Sequence, residues 1–436
     1  MLGFFKKKTT ESLPGLLTTK AAQKGVKPTF HSTKVLEVRR ETADCVSVAL
    51  EVPNTETFSF VPGQYLTLRS TINGQEVRRS YSLCSSPLSG ELRVAIKQVW
   101  WRDSLSHLLD EAQWPNTVKG LKEFLSSSQG NEACIEYMDA LDLNPDHTIN
   151  SIDELWPLNS GVFSTWANTE LKAGDTIETM PPMGNFALEI EPTDEQTYVG
   201  FAAGSGITPV LSILKTVLER APKAKFILFY GNRKTNSIIF KAELEDLKDA
   251  YMGRLEVHHV LSREDQGNDL LFGRIDEARA AQFAAQIPGV KAAAGHFLCG
   301  PEAMIKGVQS ALEQAGVASK NIHFELFTSA APAAEKAPAA SASSGDAAVT
   351  VILDGEETHF TQGPKDFILD AALDAGADVP YACKGAVCCT CRAKVLEGEV
   401  EMAMNYSLTD DEVAEGFILT CQSMPRSPKV TVSFDE

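Results

Sequence analysis

Residues 380–391 read Pro-Tyr-Ala-Cys-Lys-Gly-Ala-Val-Cys-Cys-Thr-Cys, so that Cys383, Cys388 and Cys391 follow a Cys-x4-Cys-x2-Cys spacing. A fourth cysteine, Cys421, comes after 29 intervening residues. With this spacing, three thiolates from one loop and a fourth from a distant segment can hold a two-iron, two-sulfur cluster. Gly385 lets the backbone come close and direct N–H groups at the sulfurs. The stretch therefore predicts a [2Fe-2S] site with these four cysteines as ligands.

A structural zinc site is the alternative for the same cysteines. Zinc ribbons usually pair two Cys-x2-Cys hairpins, whereas this cluster contains one. Cys389 lies inside the loop but outside the ligand spacing, which favours a small packing residue. Five of the nine cysteines lie between residues 383 and 421, and no export signal precedes them. This crowding favours metal binding over disulfides.

The rest of the chain divides around this block into regions of different composition. Residues 348–436 surround the cysteines, and residues 329–347 read as a linker rich in Ala, Pro and Ser. Residues 28–192 contain short alternating segments between turn signals such as Asn73-Gly74, which predicts an antiparallel barrel. Residues 193–328 alternate apolar strands with helical patterns, which predicts an α/β domain with a parallel sheet.

The charge of the chain is unevenly distributed. The formal net charge is −18, which argues against nucleic acid or an anionic membrane as the main partner. Residues 99–160 hold eleven Asp and Glu against three Lys and Arg, and residues 347–436 hold sixteen against six. These two segments account for the whole net charge. We expect the partner to present a basic docking surface.

The N-terminus and the hydropathy pattern predict a cytoplasmic protein. The first residues place three lysines after a very short apolar run, which reverses the order of a secretory signal. No segment approaches the eighteen or so apolar residues of a membrane span.

Two motifs in the first region have the chemistry of a flavin site. Phe60-Val-Pro-Gly-Gln-Tyr65 is followed by Arg79-Ser80-Tyr81-Ser82, in which the arginine can neutralise a phosphate, the tyrosine can stack on an isoalloxazine ring and a serine can donate near its reactive nitrogen. Alone, the tetrapeptide is a weak signal, because an arginine and a tyrosine on one face of a strand are usually a surface cation beside an aromatic ring. Gly161-Val162-Phe163-Ser164 precedes a short predicted helix that ends at Leu171 and whose N-terminal amides suit a pyrophosphate.

Two further motifs lie at the carboxyl ends of predicted strands in the second region, where open parallel sheets bind ligands. In Ala203-Gly204-Ser-Gly206-Ile-Thr208-Pro209 the glycines permit close approach of a pyrophosphate, and we predict Thr208 as the N-cap and Pro209 as the first helical residue. A tight turn without a ligand is the alternative. The second motif is Cys299-Gly300-Pro301, whose cysteine taken alone would be a buried packing residue.

These motifs, in this order, resemble known families over most of the chain. Residues 380–391 and Leu419-Thr-Cys-Gln422 resemble plant-type ferredoxins, which implies a β-grasp fold and a one-electron carrier. Residues 28–328 resemble the ferredoxin-NADP reductase superfamily. The whole order, reductase first and ferredoxin last, resembles the reductase subunits of phenylacetyl-CoA epoxidase and of related oxygenases.

The resemblance implies roles for individual residues. FAD would be held by Arg79, Tyr81, Ser82 and the turn at 161–164, and the nicotinamide would lie near Thr208 and Cys299. Glu325 matches a glutamate that lies by the flavin in this family. The residues expected to take part in catalysis are Ser82, Cys299 and Glu325. Those expected to bind cofactors are Arg79, Ser80, Tyr81, Ser82, Gly161, Val162, Phe163, Ser164, Gly204, Gly206, Thr208, Pro209, Arg233, Ser262, Arg263, Cys299, Gly300 and Pro301.

The residues after two strands favour NADPH over NADH. The strand at 226–230 is followed by Gly231-Asn-Arg233, with no carboxylate to bind a free ribose 2′-hydroxyl. Leu261 is followed by Ser262-Arg263, and arginine with a hydroxyl suits a 2′-phosphate. Arginines on the surface without a specific role are the alternative.

An acidic helical insertion at about residues 100–160 departs from the family. Its segment Asp142-Leu-Asn-Pro-Asp146-His147-Thr-Ile-Asn-Ser-Ile-Asp153 matches several oxygen-ligand positions of an EF-hand loop. However, His147 stands where the turn needs glycine, and Asp153 is shorter than the usual glutamate. A solvated helical elaboration, or a docking surface for a basic partner, is the favoured interpretation.

Together these features predict an NADPH-dependent reductase that passes electrons through FAD and [2Fe-2S] to a partner oxygenase, with the resemblance pointing to the phenylacetyl-CoA epoxidase di-iron component. A reductase for another oxygenase or for a hybrid-cluster protein is an alternative. So is a redox-responsive binding module that signals by docking.

Overall fold

The computed structural model describes residues 15–20, 23, 26–98, 117–120, 123, 144–146, 148, 161–327 and 346–436. Within them the chain forms three large sheets, of six, five and five strands. Their topologies confirm the predicted fold class: an antiparallel barrel, a parallel α/β domain and a β-grasp domain.

The first sheet is an antiparallel barrel with strand order β4-β3-β6-β1-β2-β5. It closes on itself because Leu83, directly after β4, bridges to Val94 of β5. Helix α1 (Val162–Thr169) packs against β3, β4 and β5. The strands are β1 (His31–Thr42), β2 (Cys45–Leu50), β3 (Tyr65–Ile72), β4 (Gln75–Ser82), β5 (Leu92–Lys97) and β6 (Thr176–Thr179).

Turn chemistry fixes the register of this barrel. Asn73 and Gly74 join β3 to β4 with φ of 52° and 77°, as a two-residue hairpin turn requires. Gly63, in the turn before β3, has φ of 100°, and a Cβ there would lie 2.0 Å from the Phe186 carbonyl oxygen. Only glycine therefore fits at position 63, shortly before β3. The hairpin that follows pairs Tyr65 with Ser82.

The second sheet is parallel, with strand order β11-β10-β7-β8-β9. Helix α2 is buried along most of its length between this sheet and the barrel. The strands are β7 (Thr197–Ala203), β8 (Lys225–Asn232), β9 (Leu255–Leu261), β10 (Gly295–Cys299) and β11 (Ile322–Glu325). The helices are α2 (Ile207–Arg220), α3 (Lys241–Ala250), α4 (Glu277–Gln286) and α5 (Glu302–Gln314).

The predicted cap of α2 is wrong. A 3-10 turn at Gly204–Gly206 runs directly into the helix, which begins at Ile207 with Gly206 as its N-cap. Thr208 and Pro209 thus lie inside the first turn, where proline is tolerated because its missing N–H would have no helical partner. The Thr208 hydroxyl donates to the Ser205 carbonyl oxygen at 3.0 Å.

The third sheet has strand order β13-β12-β18-β14-β16, with β12 and β18 parallel at its centre. Helix α6 covers it, and the pair β15–β17 lies beside it. The elements are β12 (Ala347–Leu353), β13 (Glu356–Gln362), α6 (Ile368–Asp374), β14 (Arg392–Glu397), β15 (Val400–Met402), α7 (Asp410–Ala414), β16 (Phe417–Leu419), β17 (Ser423–Pro425) and β18 (Lys429–Ser433).

Polar contacts join the barrel to both of the other units. On one side, α2 donates from Ser212 Oγ to the Ser85 carbonyl at 2.7 Å and from Lys215 Nζ to the Cys84 carbonyl at 3.1 Å. On the other side, Arg78 forms an ion pair with Asp378 at 3.1 Å. The barrel is thus the central body of the chain.

Two predictions fall largely outside the described residues. The EF-hand-like segment at 142–153 lies outside them except for positions 144–146 and 148, and most of the acidic insertion lies outside them too. The predicted linker lies outside them up to residue 345, and β12 begins at Ala347, its last residue. In the described ranges, no helix is both long and apolar enough to cross a bilayer.

Candidate functional site

The cysteines of residues 380–391, which we call the cluster loop, lie in two pairs together with Cys421. The thiol of Cys383 interacts with that of Cys388, and the thiol of Cys391 with that of Cys421. Among the described residues, no three Cys, His, Asp or Glu side chains converge as ligands of a single metal ion. Two pairs fit a two-iron cluster, in which each iron takes two protein ligands, better than one tetrahedral zinc.

The backbone of the cluster loop directs N–H groups at sulfur. Gly385 N and Cys388 N lie 3.3 and 3.4 Å from Cys383 Sγ, and Cys383 N lies 3.4 Å from Cys388 Sγ. The Cys388 thiol and then these amides lower the pKa of Cys383 to about 6, against the opposing effect of burial. The loop is therefore built to stabilise negative charge on sulfur, as a thiolate-bound cluster needs. Lys384 and Ala386 adopt positive φ of 51° and 60° to aim these amides.

The four side chains of the predicted flavin motif lie on alternate faces of strand β4. Arg79 is exposed, and the Tyr81 ring packs on Phe163 of α1, with centroids 5.6 Å apart. This contact brings the two predicted flavin motifs together. Ser80 and Ser82 instead meet other groups: Ser80 Oγ lies 3.1 Å from Thr67 Oγ1, and Ser82 Oγ donates to Glu325 Oε2 at 2.9 Å.

Helix α1 begins earlier than predicted, because residues 162–164 form its first turn instead of preceding it, and it ends at Thr169 instead of Leu171. Gly161 is the N-cap, and its carbonyl accepts from the Ser164 hydroxyl at 3.0 Å. Val162 is exposed and Phe163 buried, so the first turn is anchored on one side and open on the other. Its amides are of the kind that binds a pyrophosphate.

The predicted residues of the nicotinamide side lie at or beside adjacent strand ends. Cys299 of β10 pairs in register with Glu325 of β11 and with Ala202 of β7. Gly206 is pressed against this edge, because a Cβ there would lie 2.0 Å from the Cys299 carbonyl oxygen. Gly300 and the exposed Pro301 follow directly, leading into α5.

Glu325 has an unusual protonation state. Glu325 as a whole is partly exposed, but its carboxyl is enclosed by protein. Burial raises the pKa of Glu325 to about 8, although the hydrogen bond from Ser82 lowers it. The carboxyl is therefore mostly protonated at neutral pH. Burial also raises the pKa of the Cys299 thiol, so that it stays neutral.

The predicted 2′-phosphate residues lie together at the ends of β8 and β9. Arg263 N donates to the Arg233 carbonyl at 2.9 Å, and Ser262 N donates to the Asn232 carbonyl at 3.0 Å. Both arginines are exposed. A carboxylate that the sequence reasoning did not consider, Glu264, accepts from Thr235 N at 2.9 Å and from its hydroxyl at 2.6 Å.

Tyr65 and Thr390 are contact residues to which the sequence reasoning gave no role. Tyr65 was quoted only as the end of the segment at 60–65, and Thr390 only as part of the cluster loop. In the structure Cys389 N donates to the Tyr65 hydroxyl at 3.1 Å. Cys389 is buried, as predicted, and packs with Tyr65 in the core of the third unit.

Three sequence families match successive parts of the chain. Residues 32–188 match the oxidoreductase FAD-binding domain, residues 201–310 the oxidoreductase NAD-binding domain and residues 351–426 the 2Fe-2S iron-sulfur cluster binding domain. FAD, a nicotinamide cofactor and a [2Fe-2S] cluster are thus the cofactors of these domains.

Two relatives extend over nearly the whole chain. One is a component of the 1,2-phenylacetyl-CoA epoxidase of Escherichia coli (strain K12), which is 36% identical over 410 residues, covering 93% of this chain and 98% of the relative. The ferredoxin reductase component of 3-ketosteroid-9-alpha-monooxygenase from Rhodococcus rhodochrous is 31% identical over 92% of this chain and 95% of its own.

A solved structure shares the fold. An intact type IV self-sufficient cytochrome P450 monooxygenase aligns with a TM-score of 0.57 and 21% identity, over 92% of this chain. This chain spans 41% of the length of that protein. The likeness concerns the arrangement of the units and not their substrates.

Proposed function

Because the chain belongs to the family of reductase components of oxygenases that contain FAD-binding, NAD-binding and [2Fe-2S] domains, we propose that it supplies electrons from NADPH to the oxygenase component of a 1,2-phenylacetyl-CoA epoxidase. Its class is established: it is an NAD(P)H-dependent oxidoreductase. The NADPH preference, the epoxidase partner and the residue roles below are the proposal.

One cross-strand pair supports the proposal most strongly. Tyr65 of β3 lies directly opposite Ser82 of β4. Ser82 is bonded to Glu325 at the nicotinamide side, whereas Tyr65 accepts from Cys389 in the cluster loop. A flavin bound along this hairpin would therefore lie between the electron donor and the electron outlet.

The residues of the barrel can hold FAD by complementary chemistry. Arg79 would neutralise a phosphate, the first-turn amides of α1 would bind the pyrophosphate, and Tyr81, fixed by Phe163, would stack on the isoalloxazine ring. FAD, when bound, accepts a hydride from the nicotinamide and releases electrons singly to the cluster.

Ser82, Cys299 and Glu325 would act at the hydride-transfer edge. Glu325 holds a proton at neutral pH, and Ser82 Oγ, 2.9 Å away, would connect that carboxyl to the edge of a bound flavin. The neutral Cys299 thiol, beside Glu325, would shape the nicotinamide position without adding charge. Gly204, Gly206 and Thr208 would bind the nucleotide at the mouth of the same crevice.

The proposed preference for NADPH rests on the two adjacent arginines. Arg233 and Arg263, with the Ser262 hydroxyl, would bind the 2′-phosphate by charge-assisted hydrogen bonds. Glu264 brings a negative charge to the same edge, but its carboxylate is engaged by Thr235. The Thr235 bonds lower the pKa of Glu264 and keep it ionised, so the two arginines would have to outweigh its repulsion of the phosphate.

We also propose the cluster ligands, the docking surface and the domain limits. The ligands are Cys383, Cys388, Cys391 and Cys421. The acidic residues of 347–436 would attract a basic oxygenase surface. The domains are residues 28–192 for FAD, 193–328 for the nucleotide, 329–347 as linker and 348–436 for the cluster.

The experiment uses the full-length protein carrying FAD and the cluster. NADPH should drive reduction of both ferricyanide and cytochrome c. Cys421→Ser should abolish the reduction of cytochrome c and leave the reduction of ferricyanide intact. When the epoxidase oxygenase component and phenylacetyl-CoA are added, epoxide should form in an NADPH-dependent reaction. The Cys421→Ser variant should not support this epoxide formation. A flavin that neither nicotinamide reduces would refute the reductase and favour a redox-responsive binding module. Epoxide formation unaffected by loss of this chain would refute the partner alone.

A further inference from the structure

The contact between β3 and the cluster loop is centred on one buried phenol. Tyr65 is 4% exposed, and its hydroxyl oxygen accepts from Cys389 N at 3.1 Å. The same oxygen lies 3.3 Å from Thr390 Oγ1. Residues 389 and 390 stand between the proposed ligands Cys388 and Cys391, so the phenol is bonded to the backbone that links two ligands.

A line of hydroxyls continues from this contact to the flavin motif. Thr390 Oγ1 lies 3.3 Å from Thr67 Oγ1, which lies 3.1 Å from Ser80 Oγ. Thr67 and Ser80 are opposite each other in the β3–β4 register. The cluster loop is thus connected through hydrogen bonds to the tetrapeptide at residues 79–82.

The Tyr65 ring packs closely against the backbone of a glycine, and the Tyr65 backbone is itself paired. Gly184 lies against the ring, since a Cβ at that position would be 3.0 Å from Tyr65 Cδ1, and its φ of 120° is readily adopted by glycine. The Tyr65 backbone is paired with Met183 in both directions, at 2.9 and 3.0 Å. A fixed donor–acceptor geometry of this kind is what a positioning group requires.

Two further polar contacts between the barrel and the cluster-bearing unit lie farther along the loop or beyond it. The Arg78 guanidinium lies 4.5 Å from the centre of the Tyr381 ring. Asn185 Nδ2 donates to Glu412 Oε2 at 2.8 Å. These contacts hold the unit in place, but neither reaches the backbone between Cys388 and Cys391.

Building on the proposed function, we propose that Tyr65 is a positioning residue for electron transfer between the flavin and the cluster. Its hydroxyl fixes the segment 388–391 against the barrel and so sets the distance that the electron crosses. With FAD and the cluster bound, each transfer would move one electron from the reduced flavin to the cluster and reduce one of its irons from ferric to ferrous. Tyr65 is neither oxidised nor deprotonated, and no bond to it is made or broken.

The test compares Tyr65→Phe with Tyr406→Phe in the full-length protein with FAD and cluster bound. Tyr406 is the matched control because it is 40% exposed, its backbone N–H donates to the Ala386 carbonyl of the same loop, and its hydroxyl donates to Met404 Sδ at 3.9 Å. Anaerobic rapid mixing with NADPH should show flavin bleaching within twofold of wild type in both variants. The electron paramagnetic resonance signal of the reduced cluster should appear about fivefold or more slowly in Tyr65→Phe, and at the wild-type rate in Tyr406→Phe. The reason is that a buried amide left without its hydrogen-bond acceptor shifts a conformational equilibrium by at least this factor.

A second readout does not depend on turnover. Hydrogen exchange at the Cys389 amide should accelerate about fivefold or more in Tyr65→Phe and stay unchanged in Tyr406→Phe. Thr67→Val, which removes the second hydroxyl of the line without changing its shape, should also slow cluster reduction and covers the case in which Tyr65→Phe does not fold.

The outcomes separate this inference from the proposed function. Faster Cys389 exchange with unchanged cluster reduction would make Tyr65 merely structural and overturn the inference, as would equal slowing in Tyr406→Phe. A wild-type protein whose flavin is not reduced would instead defeat the proposed function, whatever the variants do.

Discussion

Removing the Ser82 hydroxyl should raise the pH at which flavin reduction is lost. Burial raises the pKa of Glu325 to about 8, and the hydrogen bond from Ser82, which favours the ionised carboxylate, opposes this rise. A hydrogen bond to a charged group contributes about 1.5 kcal/mol, and one pH unit corresponds to about 1.4 kcal/mol. In Ser82→Ala the pKa of Glu325 should therefore rise by about one unit.

The pH dependence of hydride transfer reports this shift. A hydride adds negative charge at the flavin edge, so an ionised Glu325 would oppose the reaction. In the wild type the rate should fall as pH rises through about 8. In Ser82→Ala the fall should move to about pH 9, even though the absolute rate decreases as well.

The assay is anaerobic rapid mixing with NADPH from pH 6 to pH 10, following flavin absorbance in a single turnover. Glu325→Gln is the control, because its neutral amide should remove the inflection altogether. An inflection in Ser82→Ala that stays in place or moves to lower pH would refute the reasoning, as would an inflection near pH 8 that persists in Glu325→Gln.

Other parts of the structure give three more testable expectations. Arg263→Ala should raise the KM for NADPH about tenfold and change that for NADH less than twofold, by steady-state kinetics, and an equal loss for both cofactors would defeat the 2′-phosphate assignment. Gly206→Ala should lower the Tm through a cost of about 1–3 kcal/mol, because its Cβ would lie 2.0 Å from the Cys299 carbonyl oxygen. Gly231→Ala, whose nearest neighbour would be at 3.4 Å, should change Tm little and is its control in the same melting assay. Raising salt from 0.05 to about 0.5 M should slow electron delivery to a basic oxygenase partner without slowing ferricyanide reduction, and equal slowing of both would argue against acidic docking.

Local patterns were enough to predict the class of each unit. Thiolate ligands that share one loop must obey a fixed spacing, so Cys383, Cys388 and Cys391 predict the cluster without knowledge of the fold. Asn73-Gly74 predicts a hairpin because few residues other than asparagine and glycine adopt positive φ at low cost. The alternation of strands and helices at residues 193–328 likewise predicts the parallel sheet.

Some elements escaped these patterns for identifiable reasons. No clear apolar alternation predicts β1, the longest strand among the described residues, because much of it is exposed and charged, as at Arg39 and Arg40. No apolar periodicity predicts α4, whose alanine-rich sequence carries only three buried residues. The N-cap prediction at Thr208 was wrong because a 3-10 turn already directs the chain into α2.

The kind of cofactor chemistry that each unit carries can be read from the amino-acid sequence alone, because binding motifs are short and their spacing is set by the ligand. How the units meet depends on the folded chain. Ser82 and Glu325 are 243 residues apart, and Tyr65 and Cys389 are 324 apart. Contacts at such separations are fixed by barrel closure and by domain docking, which leave no periodicity or spacing in the chain between the partners.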